Sequence, residues 1–228
     1  QQRKINFKAR KRTKTMPDSP EKKPGLVIVI SGSAATGKGT VCKSLMSRNS
    51  QLQFSVSVTT REPRSGEVEG KNYYFRTSDE FQDMMSNDQL LEWAEVYGNF
   101  YGTPREEVRA ALDSGQDIVL EIDTQGALQV KSRFPQGVFI FLMPPSLREL
   151  AERIQKRASE TPEAMDRRLK SAQLEIGSAF QYDYLVVNDE IEVAVDQIEQ
   201  ILAAEKCRMN RNLYVVNHMQ QHGSIYSK

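Results

Sequence analysis

The run Gly32-Ser33-Ala34-Ala35-Thr36-Gly37-Lys38-Gly39-Thr40 combines small residues, a lysine and a hydroxyl at the spacing of a phosphate-binding loop. Small side chains let successive backbone N–H groups converge on a polyphosphate, the helix N-terminus adds partial positive charge, and the lysine reaches the outer phosphates. Gly39 directly follows Lys38, so the hydroxyl of Thr40, one place later, is expected to meet a divalent cation through water. A second cluster places Arg61 and Arg64 three apart around Pro63, with Tyr73 following. Two guanidinium forks and a phenol suit one terminal phosphate, although a solvated charged loop would use the same letters. Glu121 and Asp123 alternate along an apolar run, which predicts that they share a strand face near the C-terminal end of a sheet. Helix capping is the alternative for Asp123. The two histidines, His218 and His222, fall in the last eleven residues. A histidine-based acid/base or Ser/His/Asp mechanism is therefore disfavoured, and the chemistry rests on carboxylates, arginine and lysine.

These residues need a scaffold, and the pattern of the chain supplies one. Leu26–Ile30 is short, continuous and β-branched, as a strand buried on both faces should be. Asp117–Ile122, Val138–Leu142 and Tyr184–Val187 are further runs of this kind. Helical spacing predicts helices over Lys38–Arg48, Pro104–Ser114, Ser146–Arg157, Pro162–Ile176 and Glu190–Met209. Strands alternating with helices imply an α/β fold with a parallel sheet covered on both faces. Residues 58–104 read differently: strand-like pieces at Asn72–Arg76 and Leu91–Val96, a short helix near Ser78–Met85, and turns at Ser65-Gly66 and Gly98-Asn99. This stretch is expected to form an inserted α+β subdomain. Residues 210–228 read as a loose tail.

Composition bounds the class. The 228 residues are 39% hydrophobic and 27% charged with a mean hydropathy of −0.56, which describes a soluble globular chain of one large domain. No apolar run approaches the ~18 residues of a membrane span. Cys42 and Cys207 stand 165 positions apart without a CxxC or Cys/His cluster, so neither a zinc site nor a disulfide framework is read, and a cytoplasmic, reducing location is expected. The net charge of +1 conceals a basic arm: seven of the 31 basic residues lie between Arg3 and Lys14 with no acid among them, leaving 24 against all 30 acids. Residues 1–24 are read as a disordered extension with no part in the core function. Trp93, Met84, Met85 and Cys42 are assigned to packing, and Arg153 and Arg167 to solvated helix faces.

Several motifs together resemble the guanylate kinases. TTREPRSGEVEGKNYYF (59–75) is similar to that family's phosphate-arginine signature, LEWAEVYGNFYGT (91–103) to its guanine-reading segment, and LEIDTQGALQV (120–130) to its acidic strand and following helix. VFIFLMPPS, YDYLVVND and a pair of lid arginines follow in the family order, so the resemblance spans about residues 26–208. It implies a P-loop NTPase core with a GMP-binding insert (about 58–104) and a helical lid (about 147–175) in a domain of residues 25–209. The implied reaction is Mg²⁺-dependent transfer of the ATP γ-phosphoryl group to GMP or dGMP. Residue by residue, the resemblance assigns Arg61, Arg64 and Tyr73 to the GMP phosphate, and Glu92, Tyr101, Gly102 and Thr103 to the base. Glu121 and Asp123 fall near GMP and the metal, Arg157 and Arg168 over ATP beside Lys38, and Asn188 and Asp189 on the adenine side.

The base assignment has its own chemical logic. A carboxylate accepts from both N1–H and the 2-amino group of guanine, a hydroxyl donates to O6, and adenine offers neither hydrogen there. The sequence departs from the family where Ala34 and Ala35 replace Ser and Gly, where Glu121 replaces Asp, and where Ala158 replaces a glycine. Two other readings fit the same fold: a protein-binding module that has lost catalysis, and a kinase for another phosphorylated acceptor. Retention of Lys38, Arg61, Arg64, Glu92, Arg157 and Arg168 speaks against the first, and Glu92 with Thr103 against the second. Expected partners are the two nucleotides, with no membrane and no nucleic acid needed; a homo-oligomer is left open.

Overall fold

The structure is a computed structural model and describes residues 25–157 and 162–222, with the side chains of 156–167, 221 and 222 outside the description. The basic arm, Ala158 and the side chains of Arg157 and Arg167 thus lie outside the described residues. Five parallel strands form the central sheet in the order β2-β7-β1-β8-β9: β1 (Val27–Ser31), β2 (Gln53–Phe54), β7 (Ile118–Glu121), β8 (Val138–Met143) and β9 (Tyr184–Val187). Helices α1 (Lys38–Arg48), α3 (Arg105–Ser114), α4 (Thr124–Arg133), α5 (Leu147–Arg157), α6 (Pro162–Gly177) and α7 (Ile191–Lys206) connect or follow them.

All five residues of β1 are buried, and alternation sends them to opposite faces. Ile28 and Ile30 pack with Val41, Leu45, Val195 and Ile198 of α1 and α7, while Val27 and Val29 pack with Val108, Ala111, Ala127 and Val130 of α3 and α4. A strand between two apolar layers has no polar face to offer, which is why its sequence is a continuous VIVI run. Truncating either isoleucine to alanine is expected to cost about 2–5 kcal/mol.

A second sheet occupies residues 58–104. Its order is β4-β3-β6-β5, with β3 (Val58–Thr59) parallel to β4 (Tyr74–Phe75) and antiparallel to β6 (Asn99–Pro104), which pairs with β5 (Leu90–Val96). Helix α2 (Ser78–Ser86) starts in a capping box between Thr77 and Glu80 and buries Phe81 beneath this sheet.

The structure corrects several expectations. Strand β7 ends at Glu121, so Asp123 lies beyond it as the N-cap of α4 and does not share a strand face with Glu121. Helix α7 ends at Lys206, three residues before the expected Met209. Residues 213–222 form a helix, α8 (Leu213–His222), where a loose tail was expected. Strand β2 has only two residues, too few for a period to register, and was not anticipated. Among the described residues, no helix is long and apolar enough to cross a membrane.

Strand topology fixes where a ligand can enter. β1 and β7 lie side by side, yet β1 continues through α1 to β2, beyond β7, whereas β7 continues through α4 to β8, beyond β1. The crevice opened by these diverging connections, at the C-terminal ends of the strands, is where open α/β sheets bind ligands.

Candidate active site

The loop from β1 to α1 wraps around its own carbonyls. The N–H and hydroxyl of Thr36 both donate to the Ser33 carbonyl, at 3.4 and 2.8 Å, and Gly37, at φ +88°, caps α1. Lys38 bends back over the loop, its Nζ donating to the carbonyls of Gly32 at 2.6 Å and Ser33 at 3.1 Å. Burial pushes the lysine pKa down, against the pull of Glu121, Glu175 and Asp123. Gly39 and Thr40 are exposed on the first turn of α1. Ala35 adopts φ +64°, a left-handed conformation that costs a non-glycine residue roughly 1–2 kcal/mol. Its methyl packs on Leu150, Ile154 and Ala172, the cluster joining α5 to α6. The N–H of Ala34 donates to Glu175 of α6 at 3.2 Å. The two residues of this loop that depart from the family pattern thus both touch the α5–α6 pair.

Asn188 and Asp189 follow β9. Asp189 is exposed, but Asn188 is 3% exposed and its Nδ2 donates to the Thr36 carbonyl at 2.7 Å. That amide lies 2.6 Å from where a Cβ on Gly37 would stand, so only glycine leaves room for the bond. Asn188 therefore braces the phosphate loop from below. Arg153, expected on a solvated face, instead donates from both terminal nitrogens to the Asn188 carbonyl, at 3.2 Å each, and pairs with Glu149 at 3.0 Å.

Across the crevice, the hairpin β5–β6 sets Glu92 opposite Thr103 and Ala94 opposite Tyr101. Thr103 Oγ1 donates to Glu92 Oε1 at 2.7 Å, both residues being buried. Burial raises the Glu92 pKa to about 7, outweighing the hydrogen bond from Thr103. Glu92 rests on α4. A Cβ on Gly126 would lie 2.2 Å from Glu92 Oε2. One helical turn on, Gln129 brackets the backbone of Trp93, accepting from its N–H at 3.3 Å and donating to its carbonyl at 2.7 Å, and Arg133 donates to the Leu91 carbonyl. Gly126, Gln129 and Arg133 are spaced i, i+3, i+7, one stripe of a helix, and they grip the strand on both sides of Glu92. The sequence reading did not find them, although that spacing was present. Trp93, expected in the core, is 39% exposed and turns its ring edge to Phe100, 6.1 Å away. Cys42 is buried in the core as expected, with Met84 and Met85 partly buried beneath the second sheet.

The expected phosphate cluster is tied together by its own side chains. Arg61 pairs with Glu67 at 2.9 Å and lies 5.4 Å over the Tyr73 ring, which meets Tyr101 edge-on at 5.9 Å. Burial alone would lower the Arg61 pKa, but its hydrogen bonds to Glu67 and Tyr101 raise it. Glu67 also accepts from the Arg64 N–H at 2.8 Å, while the Arg64 side chain is exposed. Lys38, Tyr73, Glu92, Tyr101, Gly102, Glu121 and Asp123 line one common cleft. Both Glu121 oxygens come within 3.5 Å of the Cβ position of Gly39, and Asp123 Oδ1 accepts from the Gln125 and Gly126 N–H groups at 2.7 and 3.0 Å. Asp123 is thus both a helix cap and a wall of the cleft. On the far side, the Arg168 guanidinium of α6 stacks 5.1 Å over the Tyr97 ring at the tip of the β5–β6 hairpin.

The cleft therefore joins a phosphate loop, an arginine–tyrosine cluster and a buried carboxylate–hydroxyl pair. The family model described as guanylate kinase matches residues 25–205. A guanylate kinase from Desulfitobacterium hafniense is 55% identical over 195 residues, covering 86% of this chain and 98% of the relative. One from Caldanaerobacter subterraneus is 53% identical over 191 residues, 84% of this chain and 93% of the relative. The crystal structure of guanylate kinase from Anaplasma phagocytophilum superimposes with a TM-score of 0.75 at 37% identity, over 91% of this chain and all of the other. The chain belongs to the guanylate kinase family.

Proposed function

We propose that the cleft carries out Mg²⁺-dependent phosphoryl transfer from ATP to GMP or dGMP, with Lys38, Arg64, Arg157 and Arg168 around the transferred group. The observation that carries this reading is the buried Glu92–Thr103 pair in the same cleft as Lys38. The ionised carboxylate accepts from N1–H and the 2-amino group of guanine, and the Thr103 hydroxyl, released from Glu92, donates to O6. A nucleobase without those hydrogens would leave Glu92 buried and unpaired, which sites of this kind penalise by factors of about 10⁴.

Arg61, Arg64 and Tyr73 hold the GMP phosphate, and Glu67 holds Arg61 ready for it. A GMP phosphate oxygen forms the new bond to the γ-phosphorus while the bond to the β,γ-bridging oxygen breaks, leaving ADP and GDP. The acceptor oxygen already bears charge, so no general base is needed, and catalysis comes from positioning and charge cancellation. Backbone N–H groups of residues 32–40 bind the ATP phosphates, and Lys38 leaves the Gly32 and Ser33 carbonyls for the outer phosphate oxygens. Asn188 acts here as the brace of that loop, with Asp189 toward the adenine. The oxygen-only set of Thr40, Glu121 and Asp123 around the loop suits Mg²⁺, which takes few protein ligands beside the phosphates and water. That ion would neutralise charge on the phosphates.

The lid role of Arg157 rests on the family pattern, since its side chain lies outside the described residues. The two cysteines, both free thiols, support a cytoplasmic setting. The test is ADP formation from Mg·ATP with GMP, AMP, CMP and UMP offered separately, with Lys38→Met as the blank. Turnover confined to GMP supports the assignment. Equal turnover with AMP would remove Glu92 and Thr103 from base recognition.

A further inference from the structure

The tip of the β5–β6 hairpin breaks a local rule. Tyr97 and Gly98 form its two-residue turn with φ of +52° and +79°, the pattern of a type I′ turn. Such turns favour Asn-Gly, because both central residues must take positive φ. A bulky aromatic residue in that region is an outlier, and persists where the surroundings use it. Here the Tyr97 ring, 54% exposed, lies 5.1 Å beneath the Arg168 guanidinium of α6. Tyr97 also follows Val96, which lines the cleft.

We infer that Tyr97 is a positioning residue for phosphoryl transfer, its ring docking Arg168 against the hairpin so that the guanidinium edge is presented to the nucleotide phosphates. The inference rests on the reading of Arg168 as a phosphate-binding arginine. The cation–π contact is made by the guanidinium as a charge over the ring and does not itself consume an N–H donor, so docking and phosphate binding are compatible. The hairpin register connects the two substrates physically. Glu92 and Thr103 stand at the root, Ala94 and Tyr101 midway, and Tyr97 at the tip, so one rigid two-stranded ribbon carries both base recognition and the contact to the arginine-bearing helix.

The test is a double-mutant cycle on kcat/KM for ATP at saturating GMP, a parameter that product release does not enter. An exposed cation–π contact predicts about a two- to fivefold loss in Tyr97→Leu, with Tyr97→Phe near wild type. Tyr97→Asn separates positioning from folding: it suits the turn, so Tm holds or rises while kcat/KM falls as in Tyr97→Leu. In an Arg168→Ala background, Tyr97→Leu is expected to cost nothing further. Wild-type kcat/KM in both Tyr97→Leu and Tyr97→Asn, beside a large loss in Arg168→Ala, overturns the positioning role and leaves the Arg168 assignment standing. An undiminished cost of Tyr97→Leu in the Arg168→Ala background overturns it as well. Wild-type kcat/KM in Arg168→Ala itself sinks the phosphate-binding assignment, and the positioning role with it.

Discussion

Glu92 occupies the space that a side chain on Gly126 would fill: a Cβ there would stand 2.2 Å from Oε2 and 2.9 Å from Cδ of Glu92. The carboxylate is a buried group with little freedom to retreat, because Gln129 and Arg133 hold the backbone on either side of it. Gly126→Ala therefore has to displace the carboxylate. Misplacing a recognition group by about 1 Å costs up to roughly 10²-fold, so KM for GMP is expected to rise at least about tenfold, with KM for ATP within about twofold. Steady-state kinetics in each substrate decides it, and an unchanged KM for GMP would show that Glu92 is not positioned by this contact.

The pKa of Glu92, about 7, makes both stability and substrate binding depend on pH. Between the ordinary glutamate value of 4.5 and about 7, the folded chain retains a proton that the unfolded chain releases, so this residue's contribution to stability falls as pH rises through that window. Glu92→Gln removes the cost. Its Tm in the absence of nucleotide is expected to exceed wild type by several degrees at pH 8, at about 2–4 °C per kcal/mol, with the gain shrinking toward pH 5. In the proposed base recognition guanine needs the ionised form, so KM for GMP is expected to climb below pH 7 in wild type but not in Glu92→Gln, once the phosphate titration common to both is divided out. Calorimetry and a pH series of KM check the two halves separately.

Lys38 donates to two carbonyls of its own loop rather than to a distant element, so its removal leaves the scaffold intact. Lys38→Met is expected to lower kcat by roughly 10²–10³-fold, the usual loss when one preorganised donor is removed from developing charge. Circular dichroism and Tm should match wild type. Turnover within a few-fold of wild type would show that the outer phosphates are held by other groups.

Asn188→Ala removes the side-chain bond that ties the segment after β9 to the Thr36 carbonyl. An unsatisfied buried carbonyl costs about 1–3 kcal/mol, which at this chain length lowers Tm by roughly 2–12 °C. Because the loop loses its floor, KM for ATP is expected to rise more than KM for GMP. Equal changes in both would place Asn188 in general stability alone.

The phosphate loop, the Arg61–Tyr73 cluster and the order of strands and helices were legible in the sequence because each depends on neighbouring residues. Backbone geometry at Gly32–Thr40 follows from consecutive small residues, and a short, continuous, β-branched VIVI run suits a strand buried on both faces. Helix α1 matches the helical spacing over Lys38–Arg48 end to end for the same reason. Strand β2 and helix α8 were not legible: one is shorter than any period, and the other, though it opens on Leu213-Tyr214-Val215-Val216, follows the last helix of the alternating strand–helix pattern.

Tertiary structure alone decided the partnerships. Asn188 was expected on the adenine side, and what the structure adds is its partner: its amide donates to the Thr36 carbonyl, 152 positions away, because β9 and β1 flank β8 in one parallel sheet. Asp123 left its expected strand face because β7 stops at Glu121 and the helix behind it needed a cap. The grip of α4 on Glu92 and the stacking of Arg168 on Tyr97 join elements separated in the chain by a sheet crossover or by the whole of α5. Periodicity and motif spacing encode which face a residue occupies, whereas the group it meets there depends on which distant element the topology brings to that face.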